Sequence, residues 1–257
     1  MTFEEVTDQA GYNVISISQS IQPNTAGFSY FPNTYYELGS DIFISKSFSD
    51  PVFVTNSLTN YDFEVLVHEI GHALGLKHPF EEDGDNTEVL NVSEDQTQYT
   101  AMSYDDYSYT FDGTFRALDW MALTKLYGVN PSYKAQDNTY EFSGTKGVFI
   151  IDGGGHDTII CEDTNQSVFL DLRPGAHSYE GEKEDFITSA HQLTISHGSD
   201  IENVKTGYGN DTFKNYRSVV GHINDFESIY GTKKNISLIP AGVDFEYIKN
   251  HDNDTSN

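Results

Sequence analysis

His68-Glu69-Ile70-Gly71-His72-Ala73-Leu74-Gly75-Leu76-Lys77-His78 decides how the rest of this chain is read. The stretch has the form H-E-x-x-H-x-x-G-x-x-H. On a helix, His68 and His72 project from one face, one turn apart. That spacing lets two imidazoles reach one Zn²⁺ at about 2.0–2.1 Å. Glu69, beside the first ligand, can take a proton from a water held at the metal. Gly75 falls where the helix must stop, because glycine accepts the left-handed backbone of a helix C-terminal turn. The reversed chain then delivers His78 as a third ligand. Three neutral ligands leave one position open, the arrangement of a catalytic rather than a structural zinc site. H-E-x-x-H alone occurs by chance in helices; the added glycine and third histidine at these offsets make coincidence a poor explanation.

Working outward, Val14–Ser18 and Asp41–Ser45 alternate in the manner of strands, and Ala26–Phe31, ending at Pro32, suits an edge strand. Thr59-Asn60-Tyr61-Asp62 offers a helix start. Val65, Leu66, Ile70, Ala73 and Leu74 cover most of the circumference that follows, so the motif helix is expected to be buried. Residues 79–100 read as a polar surface loop. A second helix is expected over Phe115–Tyr127, with Leu118, Met121, Ala122 and Leu126 on one face and Gly128 closing it. From about Ser132 short apolar runs (Val148–Ile151, Thr158–Cys161, Ser167–Leu172, Leu193–Ser196) alternate with Gly, Asp and Asn turns, the texture of an all-β region. Residues 251–257 have nothing to bury and read as a disordered tail.

Composition bounds the function classes. With 40 acidic against 14 basic residues, the net charge of -26 repels nucleic acid and anionic membranes. It also supplies carboxylates for hard cations such as Ca²⁺. No apolar run reaches the length of a membrane span, and Met1-Thr2-Phe3-Glu4-Glu5 lacks the basic-then-apolar order of a signal peptide. Cys161 is the only cysteine, so no intrachain disulfide is possible. It reads as a small structural residue. A monomer is expected.

Pro79 after His78, and Ala101-Met102-Ser103-Tyr104 further on, make the chain resemble the metzincins, and among them the serralysins, secreted bacterial zinc endopeptidases. Thr25–Pro32, Glu94–Tyr104 and Leu126-Tyr127-Gly128 also look like family landmarks. The likeness continues through Ile151–Ile159 and Ile201–Phe213. It implies an α+β fold: a metzincin catalytic domain over 1–131 (twisted sheet, active-site helix, C-terminal helix) whose N-terminal part is missing. An all-β, RTX-like calcium-binding roll or sandwich over 132–250 would follow.

By the same resemblance Met102 forms an apolar floor under the metal. Tyr104 binds zinc at rest and then swings out to hydrogen-bond the tetrahedral intermediate. The implied zinc ligands are therefore His68, His72, His78 and Tyr104, with Glu69 as general base. The implied substrate is a protein or peptide laid as an added strand along Phe28–Phe31. Gly153–Asp157 and Gly207–Asp211 each resemble one turn of the G-G-x-G-x-D-x-U-x repeat. The family match gives Asp152, Gly154, Asp157, Glu202, Gly209 and Asp211 as ligands for one or two Ca²⁺. An alternative stays open: a calcium-binding β module attached to a degenerate protease domain. A zinc hydrolase acting on something other than peptides is a third reading. His156, His177, His191, His197, His222 and His251 lack ligand spacing and read as surface or turn residues.

Overall fold

The computed structural model describes residues 3–6, 14–34, 38–46, 60–105, 113–142, 144–215 and 237–240. Thr59, Tyr107, Tyr109, His222, His251 and the tail 251–257 lie outside the described residues. The chain divides into two units, residues 1–128 and 129–257.

In the first unit, β1 (Ile17–Ser20), β2 (Gly27–Ser29) and β3 (Ile42–Ser45) form a sheet of order β1-β3-β2. β1 runs parallel to β3 and β2 antiparallel to it, with Phe28 opposite Phe43. Strand β1 begins three residues later than the alternation of Val14–Ser18 suggested, and Ile17 on it is exposed. Helix α1 (Asn60–Ala73) carries the two-histidine motif. Its first turns are only partly covered, whereas Val67, His68, Glu69, Gly71 and Ala73 are buried. Ile70 packs on both sides, against Ile42 and Ile44 of the sheet and against Leu74, Met102 and Leu123.

Helix α2 (Ala117–Tyr127) places Leu123 in one cluster with Leu74, Leu76 and Met102, and Tyr127 Oη donates to the Leu74 carbonyl at 2.8 Å. Its buried residues are Asp119, Leu123 and Thr124, while Leu126 is exposed. The expected face of Leu118, Met121, Ala122 and Leu126 is therefore rotated. The cause is Asp119, whose carboxylate turns inward to bind the backbone of the loop below. The donor groups are Ala101 N–H and the Thr100 hydroxyl, and the preceding stretch 79–100 is less superficial than its polarity implied: Glu94, Thr97 and Thr100 are buried.

The second unit is all β among its described residues. Strands β4 (Thr139–Glu141), β6 (Thr158–Cys161) and β10 (Asn203–Thr206) form one parallel sheet of order β10-β6-β4. The other sheet has order β12-β11-β7-β8-β9-β5, built from β5 (Val148–Ile150), β7 (Val168–Asp171), β8 (His177–Glu180), β9 (Gln192–Ile195), β11 (Thr212–Asn215) and β12 (Ser237–Pro240). The chain coils from one sheet to the other and back, so Thr139 lies beside Thr158, and Thr158 beside Asn203. Strands β8 and β9 form an antiparallel insert between β7 and β5.

Period-two burial holds the two sheets to a single core. Ile159, Cys161 and Val204 from the first sheet meet Ile150, Val168, Leu170, Leu193, Ile195 and Phe213 from the second. Ile150, Ile159, Leu170, Leu193 and Ile195 are completely buried, each stabilising the unit by roughly 1.5–3 kcal/mol. Cys161 is a buried free thiol within this core. His177 is neither a surface nor a turn residue: it sits half-buried on β8, its ring nitrogens 3.0 Å from Thr194 Oγ1 and Gln192 Oε1. His191 is a turn residue with positive φ.

Candidate metal centre

Helix α1 ends in a turn with a definite hydrogen-bond pattern. Leu76 N–H donates to Gly71 O at 2.9 Å, and Gly75 N–H to His72 O at 2.9 Å. Gly75, at φ 94°, supplies the left-handed residue this nested cap requires. The cap turns the chain back over the helix, and His78 returns to the face that carries His68 and His72. His78 Nε2 lies 3.1 Å from His68 Nε2 and 3.1 Å from His72 Nε2.

The other ring nitrogen of each histidine has an acceptor-only partner. His68 Nδ1 is 2.8 Å from the Ala101 carbonyl, and His72 Nδ1 is 2.7 Å from the Leu76 carbonyl. His78 Nδ1 meets the Glu81 carboxylate. A neutral imidazole that donates through Nδ1 keeps a lone pair on Nε2. Burial pushes His68 down to about 4 and lowers His72 as well, so both rings are neutral at pH 7. With each Nδ1 donating to its acceptor, the three Nε2 lone pairs would converge on one point, an arrangement that suits a cation. Four-coordinate zinc, with bonds of about 2.0–2.1 Å, sets neighbouring donors about 3.3 Å apart. The donor set and spacing therefore fit zinc. No other trio of His, Cys, Asp or Glu side chains among the described residues brings its donor atoms within 4.8 Å of one another.

Tyr104 Oη stands 2.9 Å from His78 Nε2, at the open side of the trio. Its ring is 67% exposed, stacks on His68 at 5.4 Å and meets Phe80 at 5.0 Å. Burial of the hydroxyl, then the carboxylates of Glu69 and Glu81, hold its phenol above the ordinary range. Met102 is buried beneath the helix: a Cβ placed on Gly71 would stand 2.3 Å from its sulfur. A side chain there would have to displace the Met102 thioether. Gly71, an unspecified position of the motif, thus packs directly on the methionine below it.

Glu69 is 5% exposed, and its Oε2 is buried without a hydrogen-bond partner. Desolvation raises its carboxyl to about 7. The side chain lies against strand β2, where a Cβ on Gly27 would come within 2.8 Å of Glu69 Cγ. The acid is therefore wedged between α1 and an edge strand, next to the trio.

Known proteins share part of this sequence. The chain is 32% identical to serralysin of Proteus mirabilis over 231 residues, which cover 77% of this chain and 45% of that protein. Metallopeptidase AprA of Pseudomonas marginalis is 30% identical over 239 residues, 81% of this chain and 48% of that protein. Serralysin G of Dickeya chrysanthemi is 27% identical over 245 residues, 86% of this chain and 48% of that protein. The sequence is serralysin-like. No protein-family model matches the chain. It spans about half the length of the curated relatives it matches.

In the second unit the two glycine-rich turns repeat the same contacts. A Cβ on Gly155 would meet the Gln136 carbonyl at 2.4 Å, and one on Gly209 the Gln166 carbonyl at 2.0 Å. Two residues on, Asp157 Oδ1 accepts from Asn138 N–H at 2.8 Å, and Asp211 Oδ1 from Val168 N–H at 3.1 Å. Asp152 Oδ1 accepts from Gly154 N–H at 2.9 Å, and Glu202 Oε2 from Asp157 N–H at 2.8 Å. Asp157 is fully buried, and its Oδ2 has no hydrogen-bond partner. Burial, then the charges of Asp152 and Glu202, push its carboxyl up. The carbonyls of Gln136 and Gln166 carry no sequence signal, since any residue offers one.

Proposed function

We propose that residues 1–131 carry the catalytic centre of a zinc-dependent endopeptidase that acts outside the cell, and that the β-rich residues 132–250 bind calcium. The observation that carries the first part is the convergence of three imidazole lone pairs beside a buried carboxylate with an unpartnered oxygen. His68, His72 and His78 would hold the metal, with Tyr104 as a fourth, movable ligand. Bound zinc would supply Lewis acidity toward a carbonyl and toward water.

The chain's own residues would do the rest. Glu69 takes the proton of the attacking water and returns it to the leaving amine. Tyr104 Oη, 2.9 Å from His78 Nε2 on a ring that is 67% exposed, turns to donate a hydrogen bond to the developing oxyanion. Strand β2 is an edge of its described sheet, so a substrate main chain can add to it as a further strand beside Glu69. The intact trio, Glu69 and Tyr104 speak for a working peptidase over a degenerate one. Extracellular action rests on the serralysin likeness. Among the described residues no helix is long and apolar enough to cross a membrane.

The test is hydrolysis of casein by the purified protein. A zinc chelator is expected to abolish it, and added Zn²⁺ to restore it. Hydrolysis indifferent to chelation would overturn the zinc assignment.

For calcium, the support is the contacts that the two turns repeat and the crowding of Asp152 and Glu202 around the buried Asp157 carboxylate. Asp152, Gly154, Asp157 and Glu202 would serve one ion; Gly209 and Asp211 would serve a second. Calcium at a hundred times its dissociation constant would stabilise the folded form by about 2.7 kcal/mol. The thermal midpoint of the intact chain is thus expected to rise with millimolar Ca²⁺ but not with Mg²⁺. Asp157→Asn should remove the share of that rise owed to the first ion; a rise unaffected by it would place that ion elsewhere.

A further inference from the structure

His78 is the one member of the trio that α1 does not carry, so something else must set its ring. His68 and His72 lean on backbone carbonyls, which the fold fixes. His78 leans on a side chain, the Glu81 carboxylate, which is itself exposed. The turn that joins them is pinned from several directions. Lys77 Nζ donates to the carbonyls of His78 at 3.1 Å and Glu81 at 2.6 Å. The Pro79 carbonyl accepts from Leu90 N–H at 2.8 Å. Phe80 stacks flat on the His78 ring, with centroids 5.0 Å apart and planes 8° from parallel.

An exposed glutamate held this way gives the turn nothing it lacks, because Lys77 already ties the two ends of the backbone. Its effect falls on the imidazole. A carboxylate accepting from Nδ1–H fixes the tautomer and leaves the Nε2 lone pair aimed at His68 and His72. It also raises the basicity of the ring as a ligand.

We propose that Glu81 is a positioning residue for the metal: it acts through His78, with its backbone set by Lys77 and the ring braced by Phe80. This rests on the trio being a zinc site. Outer partners of this kind typically change metal affinity by about 10–100-fold when removed.

The experiment is zinc affinity of the intact chain, measured by competition with a chromophoric chelator, alongside the thermal midpoint of the zinc-free protein. Glu81→Ala is expected to weaken zinc by about 10–100-fold, and Glu81→Gln, which keeps an acceptor oxygen but no charge, by a smaller factor. Glu82→Ala, which removes a neighbouring exposed carboxylate, should leave affinity unchanged. The zinc-free midpoint of Glu81→Ala should match wild type. Wild-type affinity in Glu81→Ala, an equal loss in Glu82→Ala, or a lowered zinc-free midpoint would each overturn the positioning role. A wild-type chain that takes up no zinc would instead overturn the zinc site itself.

Discussion

Glu69→Ala is expected to lower the turnover number by about 10²–10⁴-fold, the range over which a positioned general base acts, while zinc stays bound and the fold stays at least as stable. The side chain makes no hydrogen bond through Oε2 and lies in a desolvated slot against Gly27. A buried acceptor without a partner costs about 1–3 kcal/mol. Removing it should therefore hold or raise the unfolding free energy, the opposite of what truncating an ordinary buried residue does. None of the three histidines of the trio touches Glu69 through a hydrogen bond, so metal stoichiometry should remain at one. The measurement is kcat on a peptide, zinc content and denaturant midpoint, taken on the same preparation. Activity within tenfold of wild type would show that another group takes the proton. A fall in stability matching the fall in rate would mark Glu69 as a structural residue.

Much of this centre was legible in the sequence because it is local. Two histidines one helical turn apart, a glycine at the cap and a third histidine after it specify their geometry within eleven residues. The nested hydrogen bonds at Gly75 follow from the same short stretch. What the sequence hid is carried by long-range pairs or by backbone atoms. Gly71 sits at an unspecified motif position, and its close contact is with Met102, distant in the chain. Glu81 is one acid among Glu81, Glu82, Asp83 and Asp85, and nothing local says which of them reaches a histidine. In the β unit, β4, β8, β10 and β11 are short and polar on one face, so their alternation was too brief to stand out from the turns. Asp119 was hidden most thoroughly. A charged residue between Leu118 and Trp120 suggests the solvent face of a helix, and only the fold reveals what it binds.

That residue gives the second large effect. Asp119 is buried, and its carboxylate accepts from Thr100 Oγ1 at 2.6 Å, Ala101 N–H at 2.7 Å and Arg116 N–H at 2.9 Å. Thr100 Oγ1 in turn accepts from Met102 N–H at 3.0 Å, and the Ala101 carbonyl holds His68 Nδ1. One acid thus ties the N-terminus of α2, the methionine floor and the first zinc-ligand candidate into one network. Asp119→Ala leaves the Ala101 and Arg116 amides and the Thr100 hydroxyl without their acceptor, at about 1–3 kcal/mol each. The expected loss is at least about 3 kcal/mol, a large part of the 5–15 kcal/mol typical of a folded domain. Burial raises the Asp119 carboxyl despite those three donors. Asp119→Asn, which keeps one acceptor oxygen and sheds the buried charge, should consequently lose much less stability than alanine. Zinc affinity should fall in both, because the Ala101 carbonyl that orients His68 depends on the same anchor. Urea unfolding of the zinc-free variants and chelator competition on the loaded ones separate the two effects. If Asp119→Ala unfolds at the wild-type midpoint, the turn beneath the histidines is held by its apolar packing around Met102, and the network contributes only to its geometry.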